Sequence, residues 1–205
     1  MQGFIIKLSR VRDEDMIITI ISEDCLTTLY RFYGARHSPI NLGFKIDYES
    51  EISLKSSIPR MRDVIHLGFS WMGKYDRILI WQQFIALFYP HIGSSEEIGP
   101  FYYQLLNKCA NRWGDQNPKR LAIEAYVELL EYEGRLHSHM NCFFCNELIE
   151  NNISLIRAFL PAHTECSHTL SINEKGLLWL YEHYSTLFLS DHEIERLWYV
   201  LCEGL

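Results

Sequence analysis

The chain has 205 residues, 48% hydrophobic and 22% charged, enough to bury a core and too ordinary for a disordered or fibrous protein. A net charge of −7 excludes a surface uniformly coated for polyanion binding. The most apolar stretch, "ILIWQQFIALFY" (78–89), is too short and too polar to span a bilayer, so no membrane is expected. The opening "MQGFIIKLSR" lacks the apolar core and small-residue cleavage site of a secretory signal, which leads to the expectation of a cytoplasmic protein. There the six cysteines stay reduced. Charge is uneven along the chain. Residues 1–80 hold eleven Lys+Arg against ten Asp+Glu, and residues 81–205 hold eight against sixteen. The first part suits a polyanion, and the second suits basic partners or plain solubility.

In chain order, "GFIIKLS" alternates, with Phe4, Ile6 and Leu8 on one face and Ile5 and Lys7 on the other. "MIITIIS" (16–22) is apolar on both faces, as in a central strand. "LTTLYRFY" (26–33) follows, then the loop "GARHSPINLG". "FKIDYESEISL" (44–54) points Phe44, Ile46, Tyr48, Ile52 and Leu54 inward. "IPRMRDVIH" (58–66) is a weaker fifth strand. Five short strands predict a small closed barrel, either an OB-fold or an SH3-like barrel.

The period then changes to helical. A buried helix over 78–89 is ended by Pro90. Ser94 and Glu97 form a capping-box pair ahead of Ile98, Phe101, Tyr102, Leu105, Leu106 and Cys109, with Cys109 a core thiol. Asn117 and Pro118 start the next helix, which carries an apolar stripe of Leu121, Ala122, Ala125, Leu129 and Tyr132 and ends at Gly134. Asn173 and the Ser190/Glu193 pair cap the last two helices, and Cys202 near the end is structural. The fold class is α+β. An OB-type barrel over 1–75 precedes a helical domain over 76–205 with a Cys/His insert at about 142–168.

That insert reads Cys142-x2-Cys145 and His163-x2-Cys166, two pairs each able to grip a metal from a tight turn. Three thiolates and an imidazole suit one tetrahedral, structural zinc. His168 can replace His163 as the fourth ligand. Alternatively, Cys142 and Cys145 are small core residues and His163 a surface one. His163-Thr164-Glu165 also resembles the H-x-E of zinc-dependent nucleobase deaminases. However, it follows the Cys pair instead of preceding it, Asn141 stands where those enzymes have proline, and four protein ligands leave no place for water. The insert is therefore read as a clip and the chain as non-enzymatic. A nucleobase-directed zinc enzyme and an adaptor without DNA binding remain the alternatives.

Several segments resemble the bacterial recombination-mediator family RecO. "GFIIKLSRVRDEDMIITIIS" resembles its opening strand, acidic loop and second strand. "YGARHS" resembles its basic turn, and "LLEYEGRLHSHMNCFFCNE" its central helix running into Cys-x-x-Cys. The family usually closes the metal site with a second Cys-x-x-Cys, whose first position here is His163. The resemblance implies an OB-fold, a helical domain with a zinc insert, and a nucleoid-associated protein that binds single- and double-stranded DNA and anneals strands. It also implies action with RecR to load RecA onto strands coated by the single-strand-binding protein SSB.

In an OB-fold, strands two and three and the loops joining strands one to two and four to five meet oligonucleotides. The candidate nucleic-acid residues are therefore Lys7, Arg10, Arg12, Arg31, Tyr33, Arg36, Lys55, Arg60 and Arg62. They set phosphate-binding cations beside an aromatic ring able to stack a base. On the other reading, Arg10 and Arg12 only neutralise Asp13, Glu14 and Asp15. For a partner's acidic tail, such as the C-terminal tail of SSB, the candidates are Arg112, Lys119 and Arg120, which flank one inter-helix loop.

Overall fold

The computed structural model describes every residue except 24, 38, 53–55, 96 and 97. Expectations placed on Leu54, Lys55 and Glu97 lie outside the described residues. The chain forms two compact units, Met1–Gly114 and Asp115–Leu205.

In the first unit, β1 (Gln2–Arg12), β2 (Asp15–Ser22), β3 (Leu26–Arg31), β4 (Lys45–Glu51) and β5 (Arg60–His66) close into a barrel ordered β1-β2-β3-β5-β4. The β3–β5 seam is parallel and the other pairings are antiparallel. This is the OB-fold closure, and it removes the SH3-like alternative. β-Branched residues in β2 pack on both faces, with Ile18, Ile20 and Ile21 fully buried.

The barrel interior holds Ile5, Ile18, Ile20, Leu29, Ile40, Ile46, Tyr48 and Met61, with Leu8 packed against them. Plain alternation would have set Phe4, Ile6 and Leu8 on one face. Instead, a register shift between Ile5 and Lys7 makes Ile6 an extra residue and reverses the phase. Ile5 and Leu8 both turn inward, and Phe4 turns out to meet Phe69, Trp81 and Tyr103. Ile52, expected inside, is 85% exposed because β4 has already ended at Glu51.

Helices α1 (Tyr75–Ala86), α2 (Phe88–Ile92) and α3 (Phe101–Arg112) complete this unit. Phe4, Phe69, Trp71, Trp81, Phe84 and Trp113 form a ring layer with centroids 4.9–6.5 Å apart. Their packing joins the barrel and these helices in one compact unit that runs to Gly114. Each indole N–H donates to a carbonyl: Trp71 to Ala110 at 2.7 Å, Trp81 to Gly43 at 2.7 Å and Trp113 to Arg77 at 3.1 Å. The expected stop at Pro90 is instead the first turn of α2, where a missing N–H costs nothing. Cys109 is core, as expected.

The second unit contains α4 (Pro118–Tyr132), the ribbon β6 (Ile153–Ile156) and β7 (Leu160–His163), α5 (Thr164–Ser167), α6 (Glu174–His183) and α7 (Asp191–Cys202). The caps are those expected. The Asn117 side chain accepts from the Lys119 N–H, Asn173 accepts from the Gly176 N–H, and Ser190 and Glu193 make a complete capping box. Leu121, Ala122, Ala125 and Leu129 are buried, but Tyr132 is exposed and Cys202 lies at the surface. Among the described residues no helix is long and apolar enough to cross a membrane.

Candidate nucleic-acid interface and metal centre

The β1–β2 hairpin, the turn after β3 and the start of β5 meet at one end of the barrel. Asp15 holds them together. It accepts from the Tyr30 hydroxyl at 2.5 Å and from the Tyr33 backbone N–H at 2.8 Å. The Tyr30 bond first, and then the Tyr33 N–H, hold the Asp15 carboxyl below its ordinary value. Glu14 binds Arg36 through its side chain and accepts from the Ala35 N–H at 2.9 Å through its carbonyl. These two acids thus fasten the β3 turn to the hairpin. Arg10 and Arg12 stay exposed.

Tyr33 is 61% exposed and sits in the left-handed region at φ 53°, with the Arg36 guanidinium 5.9 Å from its ring centre. Phe32, absent from the candidates, is 46% exposed with Arg60 5.1 Å over its ring. It shares strand parity with Thr28 and Tyr30, the signal that would have placed it on the outer face.

Three candidates stand apart from this end or serve the barrel itself. Lys7 lies 3.7 Å over the Tyr89 ring. Arg31 donates to the Met61 carbonyl at 2.9 Å, inside the β3–β5 seam. The strand β3 ends at Arg31, and the left-handed Tyr33 breaks the strand alternation. Arg62 meets Glu51 through two nitrogens, each at 2.8 Å.

In the second unit, the donor atoms of Cys142, Cys145, His163 and Cys166 all lie within 4.8 Å of one another. A tetrahedron with arms of ~2.1–2.3 Å has edges of about 3.4–3.8 Å. The His163 Nδ1 lies 3.4 Å from Cys145 Sγ and 3.9 Å from Cys166 Sγ, close to such edges. The fold prepares both grips. The 142–145 turn closes with Asn146 N–H to the Cys142 carbonyl at 2.8 Å, and Asn146 adopts φ 63°. The β6–β7 ribbon carries His163 up to it. The second imidazole nitrogen, Nε2, is 3.3 Å from the Leu148 carbonyl, an arrangement that leaves the Nδ1 lone pair facing the sulfurs. His168 is exposed at the end of α5 and outside the cluster.

Burial pushes the Cys142 thiol up, but backbone N–H groups of Cys145, His163 and Phe144 outweigh it and bring it to about 6. Burial and the Cys142 and Cys145 sulfurs push Cys166 up to about 11. The sulfurs oppose one another's ionisation, and a bound cation reverses that opposition. The cluster can therefore hold a metal ion, and its soft donors fit zinc.

A family model described as "RecO N terminal" matches residues 1–72, the barrel and the segment leaving it. The likeness to the RecO family is carried by this domain, 72 of the 205 residues. A match to this domain supports, in general terms, a role in DNA repair and recombination. No curated protein matches the chain.

The three cations expected to bind a partner fall in different units. Arg112 belongs to the first unit, and Lys119 and Arg120 to the second. Lys119 pairs with Glu195. Arg120 donates to the Thr186 and Leu189 carbonyls at 2.7 and 2.9 Å and meets Asp191 at 2.8 Å, fastening α4 to the segment ahead of α7.

Proposed function

We propose that this protein is a DNA-binding recombination mediator, and that its binding surface is the end of the barrel built from the β1–β2 hairpin, the β3 turn and the start of β5. The observation that carries this reading is that Glu14 and Asp15 face the β3 turn, while Arg60 lies over the half-exposed Phe32 ring and Arg10 and Arg12 stay exposed on the hairpin. Guanidinium groups take phosphates and rings take unpaired bases, without regard to sequence. Lys7, Arg31, Arg62 and Lys55 stand as secondary contacts to single- or double-stranded DNA. The activity is annealing of complementary strands and, with RecR, loading of RecA onto SSB-coated strands in the cytoplasm at the nucleoid. One zinc per chain, held by Cys142, Cys145, His163 and Cys166, serves structure alone, since four protein ligands complete its shell.

For the SSB tail, Arg112, Lys119 and Arg120 remain the named residues, but Arg120 is already engaged three times. Arg196 borders an apolar cleft of about 190 Å³ lined by Leu155, Leu170, Ile172 and Tyr199, and its buried Nε has no partner. A tail ending in an apolar side chain and a carboxylate fits that cleft better.

The test is annealing of complementary oligonucleotides, bare and SSB-coated, by the purified zinc-loaded protein. The expected result is acceleration on both. No acceleration on either, with no salt-sensitive DNA binding, contradicts the mediator reading and leaves the adaptor.

A further inference from the structure

The second unit is more acidic than the chain as a whole. Residues 115–205 hold fourteen Asp+Glu against six Lys+Arg, a balance of −8, where the whole chain stands at −7. Four of the six cations are engaged: Lys119 with Glu195, Arg120 with Asp191, Arg135 with Glu133 and Arg196 with the Ser171 carbonyl. Within this unit a cleft of about 550 Å³ opens where α4 and α6 end. That volume falls within the ~300–1,000 Å³ of ordinary ligand pockets. Leu136, Leu178 and Tyr181 give it apolar walls, and Glu131 and Glu182 bring an exposed carboxylate from each helix. α4 stops just before Gly134, φ 67°, and α6 just before Tyr184, φ 49°. Two helix C-termini therefore border the cleft, each the negative end of a dipole.

The same face of α6 carries exposed rings. Trp179, next to Leu178, meets His183 one turn on, with centroids 3.9 Å apart, and Phe188 at 5.0 Å and 85°. Leu178, Trp179 and Phe188 are 45%, 36% and 53% exposed, and adjoining apolar side chains left in water mark a docking surface. Lys175 lies one turn earlier on this face, next to Glu174, so Glu131, Glu174 and Glu182 keep it net acidic. Carboxylates and helix C-termini around an apolar cleft repel an acidic ligand and suit a cation on an apolar stem. A guanidinium also lies well on indole and phenyl faces.

We propose that the α4–α6 cleft and the Trp179 ring cluster form a docking site for an arginine-bearing, apolar segment of a partner protein. Glu131 and Glu182 take the guanidinium groups, and Leu136, Leu178 and Tyr181 take the apolar side chains. The site is independent of the DNA-binding reading, and its charge is opposite to that of the cleft bordered by Arg196.

Trp179 supplies the readout, because the other four tryptophans, Trp71, Trp81, Trp113 and Trp198, are buried. The experiment titrates the full zinc-loaded chain with a synthetic helix-forming peptide of leucine and arginine, and with the same peptide carrying glutamate for arginine. The arginine peptide should shift tryptophan emission to the blue and protect it from iodide quenching, and the glutamate peptide should do neither. Glu131→Gln and Glu182→Gln should each weaken the arginine peptide about threefold, and the double variant about tenfold, as for partly exposed ion pairs. Glu150→Gln removes the same charge from an exposed position outside the cleft and should keep the parent's affinity. A photo-leucine in the arginine peptide should crosslink to residues 131–138 or 178–188 of the unaltered protein, a readout independent of variant folding. Equal binding of the two peptides, an unchanged affinity in the double variant, or crosslinks confined to other segments would overturn the proposal. Concentration-dependent dimerisation that itself shields Trp179 would make the occupant a second copy of this chain and overturn it as well.

Discussion

Single side chains set the geometry of both candidate sites, and some act against the role their charge suggests. Asp15 and Glu14 read in the sequence as a burden on neighbouring arginines, yet they organise the turn that bears Tyr33 and Arg36. That was not legible because the partners lie in another strand, beyond any local spacing rule. The caps were legible, since Ser190 and Glu193 stand at a fixed spacing whose physics is local. Burial pushes the Glu193 carboxyl up, but bonds from Ser190 and from the Asn173 and Ser190 N–H groups outweigh it and hold the value down. A depressed folded value adds stability above the unfolded carboxyl's range, about 4.3, and that stability is lost as pH falls through the folded value. Glu193→Gln should therefore lower stability by about 1 kcal/mol at pH 7. Denaturant melts at descending pH should show the gap closing below about pH 4. A gap that widens in acid would contradict the assignment.

At the scale of elements, strand identity was readable from alternation, but strand phase was not. The irregularity between Ile5 and Lys7 is set by pairing with β2 and reverses which residues enter the barrel. The same limit applied to helix α2, where Pro90 marked a break in the sequence but sits in a first turn. Gly43 shows how closely the elements approach. Its backbone has φ 81°, and a Cβ there would lie 2.7 Å from the Trp81 ring, whose N–H donates to the Gly43 carbonyl. Gly43→Ala should cost about 2–3 kcal/mol, combining backbone strain and overpacking, as read from urea midpoints. An unchanged midpoint would mean that α1 does not press on this turn.

The Cys/His clip was visible from spacing alone, and the ribbon selects His163 over His168 by pointing its Nδ1 at the sulfurs. His163→Ala should lose zinc by elemental analysis and lower the melting temperature, while His168→Ala retains both. Zinc kept by the first and lost by the second would move the fourth ligand. Chelation of the parent should loosen the 142–168 segment, seen as faster amide exchange there, because closing the clip is coupled to folding.

For the whole molecule, the order of barrel, helices and clip was readable in the sequence. An aromatic layer extends the first unit to Gly114, and the rings that build it are scattered from Phe4 to Trp113. The charge asymmetry suggested the N-terminal part as the polyanion face, and Arg10 and Arg12 on the β1–β2 hairpin are among its cations. The central claim is that this end binds nucleic acid through Arg10 and Arg12. The most direct test is the slope of log affinity against log salt for a single-stranded oligonucleotide, comparing the parent with an Arg10→Ala/Arg12→Ala variant. The account predicts steep salt dependence in the parent and a slope flatter by about 1.4 in the variant, roughly 0.7 for each lost phosphate contact. It also predicts equal weakening on every sequence tried, with zinc content and melting temperature unchanged. A variant with the parent's affinity and slope across the same salt range would contradict the account.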